Sequence, residues 1–115
     1  MINLKPQIRK KLEEISSVEV FYFYPDEWVK DKIISYYELN NSEASDADDE
    51  EYSSNIAIQI DIWCNTPDDC SVLAIEVNKK MKELEFKRTL VLDLYEKDAI
   101  KKHRKTMRFE KEEIL

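Results

Sequence analysis

The chain has no glycine in 115 residues, although ordinary usage near 7% would put roughly eight there. Phosphate-cradling loops depend on glycine's backbone freedom, so the P-loop and the dinucleotide fingerprint are both excluded. Long apolar runs are missing too: none approaches the roughly 18–20 residues that cross a bilayer, and Met1-Ile2-Asn3-Leu4-Lys5 is no signal peptide. A cytosolic protein with no membrane contact is the expectation. Cysteine and histidine are scarce, with only Cys64, Cys70 and His103. Five residues separate the thiols, whereas zinc sites pair thiolates about two to four apart and add further ligands. No metal and no cofactor is expected, and the thiols read as free and buried or half-buried. A Cys–His nucleophile would also need an orienting group and an oxyanion site, to which nothing points. Positive charge is outweighed, 18 Lys and Arg against 25 Asp and Glu for a net −7. That balance disfavours tight nucleic-acid binding. The length predicts a single domain, residues 1–115.

What is present is a set of periodic segments. Leu4, Ile8, Leu12 and Ile15 share one helical stripe, with Pro6 in the first turn where its missing N–H costs nothing. Val18 to Tyr24 is a β-branched and aromatic run stopped by Pro25, and Ile33 to Leu39 is a second strand. Between residues 40 and 54 the pattern collapses into Asn, Ser, Ala and six acids: Glu43, Asp46, Asp48, Asp49, Glu50 and Glu51. Adjacent like charges with little to bury predict an acidic, flexible loop, either a solvated connection or a functional one. Ile56, Ile58, Ile60 and Ile62 then alternate with Ala57, Gln59, Asp61 and Trp63, so four isoleucines face the core. Trp63 lies on the other face, as cover for a loop or helix end or as an interface anchor.

Thr66-Pro67-Asp68-Asp69 has the chemistry of a helix start: a capping hydroxyl, a proline at the first helical position and two acids at the positive helix end. Leu73, Val77, Met81 and Leu84 supply the stripe, and Lys79, Lys80 and Lys82 suit the C-terminal end. Phe86 to Tyr95 is a fourth strand, with Phe86, Leu90, Leu92 and Leu94 expected on one face. Residues 101–110 form a fifth, basic strand, expected at a sheet edge where positive charge discourages stray pairing. The order is α-β-β-β-α-β-β. It predicts an α+β fold in which a mostly antiparallel sheet packs two helices on one face. The carboxylate pairs Asp49/Glu50 and Asp68/Asp69 are explained by loop charge and helix-start charge. An enzyme is not expected.

Several segments, taken in order, resemble a known family. They are Asn3-Leu4-Lys5-Pro6-Gln7-Ile8, Tyr24-Pro25 followed by Trp28, Ile34-Ser35-Tyr36-Tyr37-Glu38-Leu39-Asn40, Ile60-Asp61-Ile62-Trp63, and His103-Arg104-Lys105-Thr106-Met107-Arg108-Phe109-Glu110. Together, from residue 3 to about residue 110, they resemble the tail-completion proteins of long-tailed phages and prophages of Gram-positive bacteria, also called tail terminators or head-to-tail joining proteins. The resemblance implies a small α/β protein without catalytic activity that assembles as a ring, a hexamer when assembled and a monomer where isolated. It also implies a major tail tube protein and a head-completion or connector protein as partners. The location it implies is the host cytoplasm during assembly, then the head–tail junction of the virion. Two departures are visible: the chain stops at Leu115, where relatives often run on, and Lys30-Asp31-Lys32 stands where a Leu-Pro pair is common.

Charge suggests how such a ring would find its neighbours. The acids of 43–51 and the bases Lys101, Lys102, Arg104, Lys105 and Arg108 are complementary. They are expected to face each other across subunits, or to face the tube protein and the connector separately. A net acidic lumen would let passing DNA slide. The rival from another class is a small acidic inhibitor or DNA mimic that binds a host protein. Its carboxylates would be spread over one surface, whereas here they cluster in one segment beside a basic strand.

Overall fold

The computed structural model describes residues 1–45, 51–96 and 100–114. Helix α1 (Lys5–Glu13) starts with Pro6 in its first turn and buries Ile8 and Leu12. Strand β1 (Glu19–Tyr22) runs parallel to β2 (Lys32–Ser45), which pairs antiparallel with β3 (Glu51–Cys64). Helix α2 (Pro67–Glu83) follows, then β4 (Lys87–Glu96) and β5 (Lys102–Ile114). The sheet order is β1-β2-β3-β5-β4, antiparallel except for its first pair. The fold is the expected α+β arrangement.

One face of the sheet meets both helices. Ile56, Ile58, Ile60 and Ile62 are essentially inaccessible and cluster with Ile8, Leu12, Leu73, Val77, Met81, Met107 and Phe109. The helices are tied together on their outer sides by Lys11–Glu83 at 2.8 Å and Lys80–Glu14 at 3.0 Å. The Thr66 hydroxyl accepts the Asp69 N–H at 3.1 Å, the cap its sequence promises. At the other end of α2, the Glu85 N–H donates to the Lys82 carbonyl and the Phe86 N–H to that of Met81. That is a Schellman ending, and its left-handed position, usually glycine, is Glu85 with φ 67°. Ser17, Phe23 and Lys101 also have positive φ, so among the described residues of a chain without glycine four ordinary residues carry it.

Four expectations are corrected. Of the segment 40–54, the described residues 40–45 and 51–54 are strand: β2 continues to Ser45 and β3 begins at Glu51, paired from Asn40↔Ala57 to Ser45↔Glu51. Backbone pairing needs no apolar side chain, and β3 is held on its other side by the end of β5 (Ser53↔Ile114). Asp46, Asp48, Asp49 and Glu50 lie outside the described residues. The first strand is shorter than its apolar run. It ends at Tyr22, before Phe23, whose φ of 74° and flanking Tyr24 N–H to Tyr22 C=O bond of 3.0 Å make a γ-turn. The basic strand β5 is interior, with β4 at the edge. Finally, a bulge between Arg88 and Leu90 moves Leu90, Leu92 and Leu94 to the face opposite Phe86. They pair with Arg108, Thr106 and Arg104, away from the helices.

Candidate interaction surface

The helix-free face of the sheet is built from the residues that alternate with the core positions. At its centre Asp61 is 2% exposed although no helix covers it. Its carboxylate accepts the Thr106 hydroxyl at 2.6 Å, Arg104 Nε at 3.2 Å and Gln59 Nε2 at 3.2 Å. Arg108 Nε donates to Gln59 Oε1 at 3.3 Å. Long side chains therefore seal the middle of the face with satisfied polar groups.

Beside this network Trp63 is fully buried, and its indole N–H donates to Ser35 Oγ at 3.0 Å. The connector after β1 folds over it: Trp28 and Tyr24 sit edge-on at 4.8 and 5.7 Å between ring centroids. The Arg104 guanidinium lies 4.6 Å from the ring. Trp63 thus serves as the seat of a loop, and no part of its ring is exposed for a partner.

The basic residues of β5 divide between two faces and are largely engaged within the chain. Lys102 is buried, its Nζ donating to Lys30 O at 2.9 Å and Asn65 Oδ1 at 2.8 Å. Lys105, on the helix face, pairs with Asp93 at 2.8 Å. Lys101 and Arg108 are exposed. Glu43 is exposed on the β2–β3 arm, and Glu51 opens β3. Within the chain, the described acids Glu43 and Glu51 are not neighbours of the basic start of β5. Ser53 pairs with Ile114 and Cys64 with His103, so at about 3.3 Å per residue the two ends are roughly 36 Å apart. They occupy opposite ends of a molecule 51 Å long.

The open positions lie at the rims. Along β1, Tyr22, Phe23 and Tyr24 are 43, 64 and 48% exposed, with Phe23 held outward by its γ-turn. A groove of about 660 Å³ follows this edge between Arg9, Glu13, Glu19 and Asp26. There partial desolvation and the neighbouring Glu27 carboxylate raise the Glu19 pKa. Along β4, Leu92 and Leu94 are 40 and 43% exposed. The sequence reading missed both rims. The aromatic run was visible, but the turn that exposes it carries no glycine to announce it. The leucines were visible too, but the bulge reverses their face.

Cys64 and Cys70 are both free and buried against each other. Hydrogen bonding to Cys70, reinforced by burial, pushes the Cys64 thiol well above the ordinary thiol range. Among the described residues no cluster of His, Cys, Asp and Glu is arranged to hold a metal ion, and no helix is long and apolar enough to cross a membrane.

No protein-family model matches the chain, and no curated protein sequence matches it. Its fold is similar to that of the gp17 protein of bacteriophage SPP1, with a TM-score of 0.53 and 16% identity over 92% of this chain and 86% of the other.

Proposed function

We propose that the chain is a non-enzymatic structural protein of a phage virion, which caps the completed tail tube as a ring and joins it to the head connector. The observation that carries this reading is a fold alike, over nearly the whole chain, to a bacteriophage protein. The ordered motifs that resemble the tail-completion group support it. So does the distribution of charge. In a ring whose axis follows the strands, the arm that carries exposed Glu43 and the end that carries exposed Lys101 become the two ring faces, roughly 36 Å apart by strand rise. That separation favours a different partner for each charge over a contact between neighbouring subunits. One end meets the tube protein, the other the connector, with complementarity setting partner choice and encounter rate. A net −7 per subunit suits a channel through which DNA slides without being held.

Deleting the gene from its phage or prophage should leave filled heads and separate tails, with joining restored by the intact chain supplied in trans. Infectious particles made without it would overturn the reading. Replacing Asp48, Asp49 and Glu50 together with lysine should abolish tail joining while the purified chain stays folded. Joining that proceeds unchanged refutes the charge assignment.

A further inference from the structure

Strand β4 is a ten-residue sheet edge with β5 on one side and no strand on the other among the described residues. Both of its faces carry half-exposed apolar side chains: Leu92 and Leu94 on one, Val91 and Tyr95 on the other. Ile75 of α2, 60% exposed, lines the same shallow groove as Val91 and Arg88. Long apolar edges are pairing templates unless charge, proline or shortness blunts them. Here the charges are placed unevenly, with Lys87 and Arg88 at the start and Asp93 beyond the middle.

We propose that β4 pairs with β4 of a second copy, antiparallel, about a two-fold axis normal to the sheet at Val91. The result is one ten-stranded sheet with all helices on the same side. The register follows from the faces. Because of the bulge, Arg88, Val91 and Asp93 lie opposite Phe109, Met107 and Lys105, all on the helix face. An axis at Val91 sets Val91 against its copy and Arg88 against the copy's Asp93, twice by symmetry. On the other face Leu90 meets the copy's Leu92, also twice. An axis at Leu92 would instead set Val91 against Asp93, an apolar side chain against a charge. Asp93 remains open to a second cation, since its side chain is 76% exposed even with Lys105 bound. This contact does not rest on the virion role, and because it points the two copies' β2–β3 arms in opposite directions it belongs to the free chain and not to neighbours in the proposed ring.

The test is sedimentation equilibrium of the full chain from micromolar to near-millimolar concentration. The wild type should show a monomer–dimer equilibrium. Arg88→Asp or Asp93→Arg alone should weaken it about tenfold by setting like charges opposite each other. The double variant should restore it, a reversal that a folding defect cannot produce. Val91→Cys should form an intermolecular disulfide under an oxidised glutathione buffer, and Tyr95→Cys should not. A wild type monomeric throughout, single charge variants that dimerise like wild type, or cross-linking equal at both positions would each overturn the proposal.

Discussion

Replacing Asp61 with alanine tests whether the sealed centre of the helix-free face is held by its carboxylate. The substitution removes the acceptor for three donors at once: the Thr106 hydroxyl at 2.6 Å, Arg104 Nε at 3.2 Å and Gln59 Nε2 at 3.2 Å. Breaking a buried ion pair from one side costs about 3–5 kcal/mol, because the partner charge is left uncompensated. Arg104 moderates this, since 23% of its side chain reaches solvent and its guanidinium already lies on Trp63. A hydrogen bond to a charged group, about 1.5–3 kcal/mol, sets the lower bound. The expected loss is therefore about 3 kcal/mol, or roughly 12 °C in Tm for a chain of this length. Asp61→Asn keeps an acceptor for Thr106 while losing the charge, and should cost about half as much. Urea unfolding followed by tryptophan fluorescence would measure both. A double-mutant cycle with Arg104→Met should return a coupling of at least about 1 kcal/mol. A loss below about 1 kcal/mol for Asp61→Ala, or a coupling near zero, refutes the reasoning.

Glu85→Gly should stabilise the fold by about 0.5–1 kcal/mol, the relief of a left-handed residue at the end of α2 less the added freedom of the unfolded chain. Thermal unfolding reads the sign directly. Glu83 should titrate below the ordinary carboxylate range by NMR, because the Lys11 hydrogen bond and charge favour its ionised form. With a lowered folded-state pKa, its contribution to stability is present above the unfolded pKa and is lost as pH falls through the folded one. Lys11→Ala should return the titration to the ordinary range. Cys64, buried with its thiol held neutral, should resist alkylation at neutral pH in the native state and react once the chain is unfolded. Labelling of the native protein at the rate of the unfolded chain would contradict this.

Helix α2 and the core of β3 were fully legible, because their signals are local. Thr66, Pro67, Asp68 and Asp69 do at the helix start what their chemistry implies, and the four alternating isoleucines are all buried. The remainder depends on register, which no local window contains. Five positive charges between residues 101 and 108 look like an edge, yet Asp61, Gln59, Asn65 and Asp93 on neighbouring segments accept from four of them. That match exists only once the strands are paired. The polar arm of β2 and β3 has the composition of a loop, but its hydrogen bonds are made by backbone. One extra residue at Thr89 is enough to turn three leucines away from the face they are expected to share with Phe86.

A sheet with helices on one side leaves the other side to a partner, to solvent or to its own side chains. Here the chain closes the middle itself, through the carboxylate network of Asp61 and the ring cluster over Trp63. The exposed charged and apolar positions then lie at the perimeter: Glu43 and Lys101 towards the two ends, an aromatic rim at Phe23 and a leucine rim on β4. The division makes a prediction of its own. Substitution at Asp61 should lower stability while leaving partner choice intact. Reversal of exposed Glu43 or replacement of Leu92 with lysine should leave Tm within about 2 °C, as for exposed positions generally, and alter association. Asp61 variants that fold stably yet choose different partners would show that the sealed centre is itself a binding surface.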